Sequence, residues 1–286
     1  MRRSRGIFGV VVASALVVSA EASAQPKPKP APRKPAPAEV GPLFSLTPEI
    51  TQKLKSADEA QIRAALDDIR LAGKAAASAV PLVSEVLEAG ATVGLAEAAL
   101  DTLASIEAPA GSAAVAPYAT HRNVRLRRAA VKALFRTKGP LAVAALRRGL
   151  SDPDAQVRGL SATGLGSLKA KEATSDLVVA LDHKVSEAAA SVGQLCAGPE
   201  CDELTARVGR LPLDVVTSGL DQVLFRPSEE IPDDAKIKII GRLRELGTME
   251  ANKFLKDVQG RIPKSWSPRV RQAVDQAVLA TSGGAE

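Results

Sequence analysis

The sequence is poor in aromatic rings. Its 286 residues include five Phe, one Tyr and one Trp, so the large apolar side chains that usually anchor a compact core are missing. Runs of β-branched and aromatic residues with period-two alternation are equally scarce, which argues against a sheet. Stacking platforms for single-stranded nucleic acid need the same rings, so nucleic acid is disfavoured as a partner. Histidine is limited to His121 and His183, and cysteine to Cys196 and Cys201. No G-x-S-x-G and no S-x-x-K in a suitable setting marks a nucleophile, and no glycine-rich loop is built to cradle phosphate. The expectation is a protein with no catalytic residue, no metal ligand set and no cofactor.

What the chain has instead is Ala, Leu and Val, in a phrase that returns. Its clearest copy is SDPDAQVRGLSATGLGSL, Ser151 to Leu168: a turn, then Val157–Arg158, then small and apolar residues at helical spacing. The key positions Val157, Arg158, Leu160, Ala162, Leu165 and Leu168 have counterparts 31 residues earlier in Leu126, Arg127, Ala129, Val131, Leu134 and Thr137. One period further back stand Leu95, Ala96, Ala98, Leu100, Leu103 and Ile106. Worn copies run from Ile62 to Gly73, Val185 to Leu195 and Pro268 to Val278, and second helices such as AVPLVSEVLEAG, GPLAVAALRRGLSD and KEATSDLVVALDHK lie between them. Two helices per period of about 31 residues predict an all-α protein, an α-solenoid of about six or seven helical hairpins. Gly139–Pro140 separates the two helices of one such pair, and Thr47-Pro48-Glu49 predicts a helix start that caps the N-terminal end. From Ala197 to Asp234 the rhythm breaks at Pro199, Pro212, Pro227 and Pro232.

The phrase DPDAQVRGLSATGLGSL resembles the HEAT repeats of bacterial proteins, the short type also found in phycobilisome lyases. The resemblance covers roughly Ala57 to Ala280 and is strongest from Asn123 to Lys184. It implies a HEAT-like superhelix in which the Asp of the turn and the Arg after the apolar residue bond between neighbouring repeats. Here these are Asp154 or Asp152, and Arg127, Arg158 and Arg271. Ala96 replaces the Arg in the second repeat, so the ladder is expected to be interrupted there. Fold resemblance of this kind says little about function.

The N-terminus reads as an address. Arg2, Arg3 and Arg5 precede an apolar run from Gly6 to Ala20, too short to span a bilayer, and Ala22-Ser23-Ala24 supplies a small-x-small cleavage site. Residues 1–24 are therefore expected to be a secretory signal peptide, removed by the general or the twin-arginine route, leaving no stable membrane span. Residues 25–42 form a Pro/Lys-rich disordered linker; as polyproline II, Pro26 to Pro37 would reach about 35 Å. The solenoid is expected over 43–281 and a frayed tail over 282–286. In an oxidising compartment, periplasmic or secreted, Cys196 and Cys201 are expected to pair as a structural disulfide. Stacked repeats would hold His121 and His183 roughly 20 Å apart, far beyond the ~2 Å bonds of a shared metal.

Charge points to a partner. Leader and linker carry most of the formal +6, and the repeat body is close to neutral. Yet no acid occurs between Glu107 and Asp152, and Arg125, Arg128, Lys132 and Arg136 fall within one arc of about 80° on a helix. This basic stripe is the predicted partner-binding surface, for a protein with an acidic surface or for an anionic envelope polymer. A second basic run, Lys236–Lys238–Arg242–Arg244, is interleaved with acids and provides an exposed comparison. The expected function is that of an exported, monomeric, non-enzymatic protein-binding scaffold or adaptor in the cell envelope. A structural spacer without a discrete partner and a lyase-like enzyme are the alternatives.

Overall fold

The computed structural model describes residues 44–282, which belong to one compact unit. The expected signal peptide with Ala22-Ser23-Ala24, the expected linker and residues 283–286 lie outside the described residues. Among those described, no helix is long and apolar enough to cross a membrane, and no strand forms beyond an isolated bridge between Val208 and Leu211.

The fold is an α-solenoid. Helix α1 (Pro48–Leu54) starts where Thr47 Oγ1 accepts from the Ile50 N–H at 3.2 Å, with Pro48 in the first position, where its missing donor is harmless. Then follow α2 (Glu59–Ala72) and α3 (Val80–Glu88), α4 (Val93–Ile106) and α5 (Ser112–Val115), and α6 (Val124–Thr137) and α7 (Ala142–Gly149). The series continues with α8 (Ala155–Ser167) and α9 (Thr174–Asp182), α10 (Ala188–Leu195) and α11 (Pro199–Ala206), and α12 (Leu213–Leu224). It closes with α13 (Asp233–Leu246), α14 (Met249–Gly260) and α15 (Pro268–Ser282), so Ser282 ends a helix rather than opening the tail. Helices α2, α4, α6, α8, α10 and α12 form a row in which each packs on the next. Helices α3, α7, α9 and α11 cover that row, and α13 and α14 both pack on α15.

Small residues set how close the row can pack. Ala65, Ala96, Ala99, Ala130, Ala133, Ala162 and Ala188 have no exposed surface. Between α10 and α12 the backbones touch: a Cβ at Gly193 would stand 2.1 Å from the Gly219 carbonyl oxygen, and one at Gly219 would stand 2.3 Å from that of Ala189. Only glycine fits either place. Hydroxyls on the seams donate across them, Thr102 Oγ1 to the Leu66 carbonyl at 3.3 Å and Ser191 Oγ to that of Ala162 at 2.8 Å.

Two places depart from a regular array of hairpins. The second helix of the second repeat is reduced to α5, because Pro109 and Gly111 precede it and Pro117 follows it; single 3₁₀ turns fill the remainder. After α12 the chain runs through Phe225 to Pro232 without a helix before α13 begins. The prolines expected to break the rhythm lie at helix boundaries: Pro199 opens α11, Pro212 and Pro232 immediately precede α12 and α13, and Pro227 lies between those two helices.

Candidate partner-binding face

Helix α6 carries the stripe. Its apolar residues Leu126, Ala129, Ala130, Ala133 and Leu134 are buried in the row, Asn123 caps it by accepting from the Arg125 N–H at 2.9 Å, and Lys138 ends it in the left-handed region. That orientation sends Arg125, Lys132 and Arg136 into solvent and leaves Arg128 half-buried. All four lie on one helix, as expected, but three of them hold acids of adjacent repeats. Arg125 pairs with Glu97, Arg136 with Glu107 at 2.6 Å, and Arg128 with Asp154 through two bonds of 2.9 and 2.6 Å. The acid-free run in the sequence is thus flanked in space by the acids of α4 and of the turn before α8. Lys132 makes no ion pair among the described residues; it faces Asp101 only through the longer-range Coulomb field. Burial raises the Asp101 carboxyl above its ordinary range, helped by the like charge of Glu97 and opposed by Lys132 and Arg70.

The expected structural residues organise the turns. Asp154 caps α8, accepting from the Val157 N–H at 3.0 Å, and the Arg128 guanidinium together with this N–H pulls its carboxyl down to about 2. Arg127 grips Asp152 with bonds of 2.8 and 2.9 Å and donates to the His121 carbonyl at 3.1 Å, so it ties two successive turns together. Arg158 and Arg271 differ from the expected ladder. Arg158 Nη1 donates to the carbonyls of Asp152 and Pro153 at 2.8 and 3.0 Å, and Arg271 donates to those of Trp266 and Lys264 at 3.0 and 2.5 Å. Each folds back on the turn before its own helix. The bond to a neighbour's acid is therefore a property of Arg127 and not of every repeat, and it requires an Asp one turn further on.

Across the row lies one hollow of about 570 Å³, lined by Arg70 of α2, Asp101 of α4, Lys132, Phe135 and Arg136 of α6, and Leu160 of α8. Arg70, Asp101 and Lys132 are successive equivalents one period apart, so the repeat itself aligns them. Lys132 and Arg136 belong to both the stripe and the hollow, which places the two candidate binding surfaces on the same face.

Turn, first helix and second helix recur here in the arrangement of a known repeat. Residues 112–196 match the family model for HEAT repeats. No curated protein matches the chain. Among solved structures, the complex of CpcE and CpcF of phycocyanin lyase from Nostoc is similar at 20% identity and TM-score 0.43, covering 87% of this chain and 98% of that one. An engineered protein is similar at 16% identity and TM-score 0.48, over 82% of this chain and 78% of its own. A designed armadillo repeat protein is similar at 14% identity and TM-score 0.41, over 82% of this chain and 99% of its own. Identities this low say nothing about partners or chemistry.

The HEAT-matching segment ends at Cys196. The Cys196 and Cys201 sulfurs are 2.04 Å apart, a disulfide, and both residues are buried. Arg226 Nη1 donates to the Cys196 carbonyl at 2.7 Å, and the Arg226 carbonyl in turn accepts from Lys236 Nζ at 2.6 Å. Lys236 is only 1% exposed and lies 5.4 Å from the centre of the Trp266 ring, which stacks obliquely on Phe225. Lys238, Arg242 and Arg244 are exposed, as expected of this basic run, but Lys236 belongs to the core. The signal was in the spacing, since Lys236, Ile239, Ile240 and Leu243 recur as one helical face. Burial pushes the Lys236 ammonium below its ordinary pKa, against the pull of Asp233 and Glu229.

The histidines stand in turns. His121 Nδ1 accepts from the Asn123 N–H at 3.0 Å and its ring stacks on Tyr118, while His183 is exposed at the end of α9. Among the described residues no group of three or more His, Cys, Asp or Glu could hold a metal ion.

Proposed function

We propose that this protein is an exported, monomeric, non-enzymatic scaffold of the cell envelope, periplasmic or secreted, that holds a protein partner with an acidic surface along its row of first helices. The observation that carries this reading is the hollow crossing α2, α4, α6 and α8. Its lining combines the cations Lys132 and Arg136, the latter paired with Glu107, with the apolar side chains of Phe135 and Leu160. Apolar contact supplies the affinity of such a face and charge its orientation and on-rate. Within the stripe Lys132 is the cation without an ion pair among the described residues, so it is the one most available to a partner's carboxylate. Export is supported by the positive leader, its short apolar run and the cleavage site, together with a cysteine pair at disulfide distance.

The test is recovery of the partner with tagged variants expressed at equal levels. Lys132→Glu and Phe135→Ala should each cut the recovered partner severalfold, while Lys253→Gln on α14 should not. Equal recovery with all three would contradict the assignment of this face.

A further inference from the structure

We infer a second site, lined by other residues than the hollow around Lys132, where the first helices end: a rim of Lys138, Lys169 and Lys171 that takes an extended acidic peptide. Lys138 and Lys169 are one period apart and occupy equivalent places, each following the first helix of its repeat with φ of 54° and 55°. The Lys138 N–H closes α6 on the Leu134 carbonyl, and the Lys169 N–H closes α8 on that of Gly166. Glycine is the residue this left-handed position favours. Both positions nevertheless carry a long cation, exposed and without an ion pair among the described residues.

Beside Lys169 opens a hollow of about 550 Å³, lined by Lys169, Lys171, Gln194, Gln222, Arg226 and Glu230. Its one carboxylate, Glu230, is held by Arg226 at 3.0 Å and is already neutralised. What remains is two ammonium groups and two primary amides. The ammonium groups suit carboxylates. The amides both donate and accept, as a peptide backbone requires and as a chain of phosphates, which only accepts, does not. Charge complementarity and this mixed donor set select an acidic peptide. The site shares no lining residue with the hollow around Lys132.

Fluorescence anisotropy of a labelled hexaglutamate peptide with the full chain tests this. The wild type should bind saturably at low salt and weaken as salt rises. Lys138→Gly, Lys169→Gly and Lys171→Gln together should weaken binding at least tenfold and flatten the salt dependence. The two glycine changes suit the local backbone, so the melting temperature should not fall, and loss of binding cannot then be loss of fold. Lys132→Glu and the pair Lys253→Gln with Lys256→Gln should leave the affinity within twofold. The inference is overturned by absence of saturable binding, by equal loss in the Lys253 and Lys256 pair, or by tighter binding of inorganic polyphosphate of equal charge. Loss with Lys132→Glu would equally overturn it, because the peptide would then belong to the hollow around Lys132.

Discussion

Arg128 on α6 and Asp154 before α8 form a two-bonded pair across a repeat boundary, and the same carboxylate caps α8. One side chain therefore links packing between repeats to the start of a helix. Its acid sensitivity follows. Asp154 titrates near 2 when folded, below its ordinary value of 3.8, so the unfolded chain takes up the proton first as pH falls. The stabilisation is complete above about pH 4 and is lost between there and about pH 2. Asp154→Asn keeps an acceptor for the cap but loses the ion pair, and Asp154→Ala loses both. Melting at pH 7 should rank wild type above Asn and Asn above Ala, and the gap should close near pH 2. A gap independent of pH would show that the pair contributes nothing.

Lys236 gives the opposite sign. Its folded pKa lies below the unfolded one, so in the interval beneath the ordinary lysine value the unfolded state holds the extra proton and stability rises with pH. Lys236→Met, which fills the same space without a charge, should stay within about 1 kcal/mol of wild type at pH 7 and should flatten that alkaline rise. Lys236→Glu should cost about 3 kcal/mol or more, because an anion replaces the donor to the Arg226 carbonyl. The single tryptophan, Trp266, is buried against this site, so its emission follows the transition directly. A tolerated Glu would mean that Lys236 reaches solvent.

Reduction of the disulfide should have a local effect. The ring from Cys196 to Cys201 is short, so its stabilisation should be less than the roughly 3 kcal/mol of a 15-residue loop. Cys196→Ser with Cys201→Ser should raise amide exchange in α11 and its preceding turn while leaving α2 to α8 protected. Global unfolding of the double variant would refute this.

Export is tested by Edman sequencing or mass spectrometry of protein recovered from cells. The mature chain should begin at Gln25, after Ala22-Ser23-Ala24. A membrane-embedded species retaining Arg2 and Arg3 would refute cleavage.

Much of this architecture was legible in the sequence, because it is local and repeated. Val157, Leu126 and Leu95 mark the same place in three successive helices, and Pro48 and Gly139–Pro140 mark boundaries that the structure places as expected. The ion pairs were not legible. The acids that meet Arg125, Arg128 and Arg136 lie one repeat away, so the chain looks acid-free along α6 while the folded face is not. The buried role of Lys236 is hidden for another reason: its charge points to solvent, and only its helical spacing with Ile239, Ile240 and Leu243 points to the core. The hollow around Lys132 needs four helices side by side, and no single stretch of sequence contains it.

Site-specific photo-cross-linking in cells shows directly whether a partner lies on the row of first helices. A photoreactive residue at Phe135 should give one dominant adduct, identified by mass spectrometry as a protein with an acidic surface. Adding Lys132→Glu should diminish it, and the same probe at Lys256 should not form it. An adduct formed equally from Lys256, or undiminished by Lys132→Glu, would mean that no partner is held on this face.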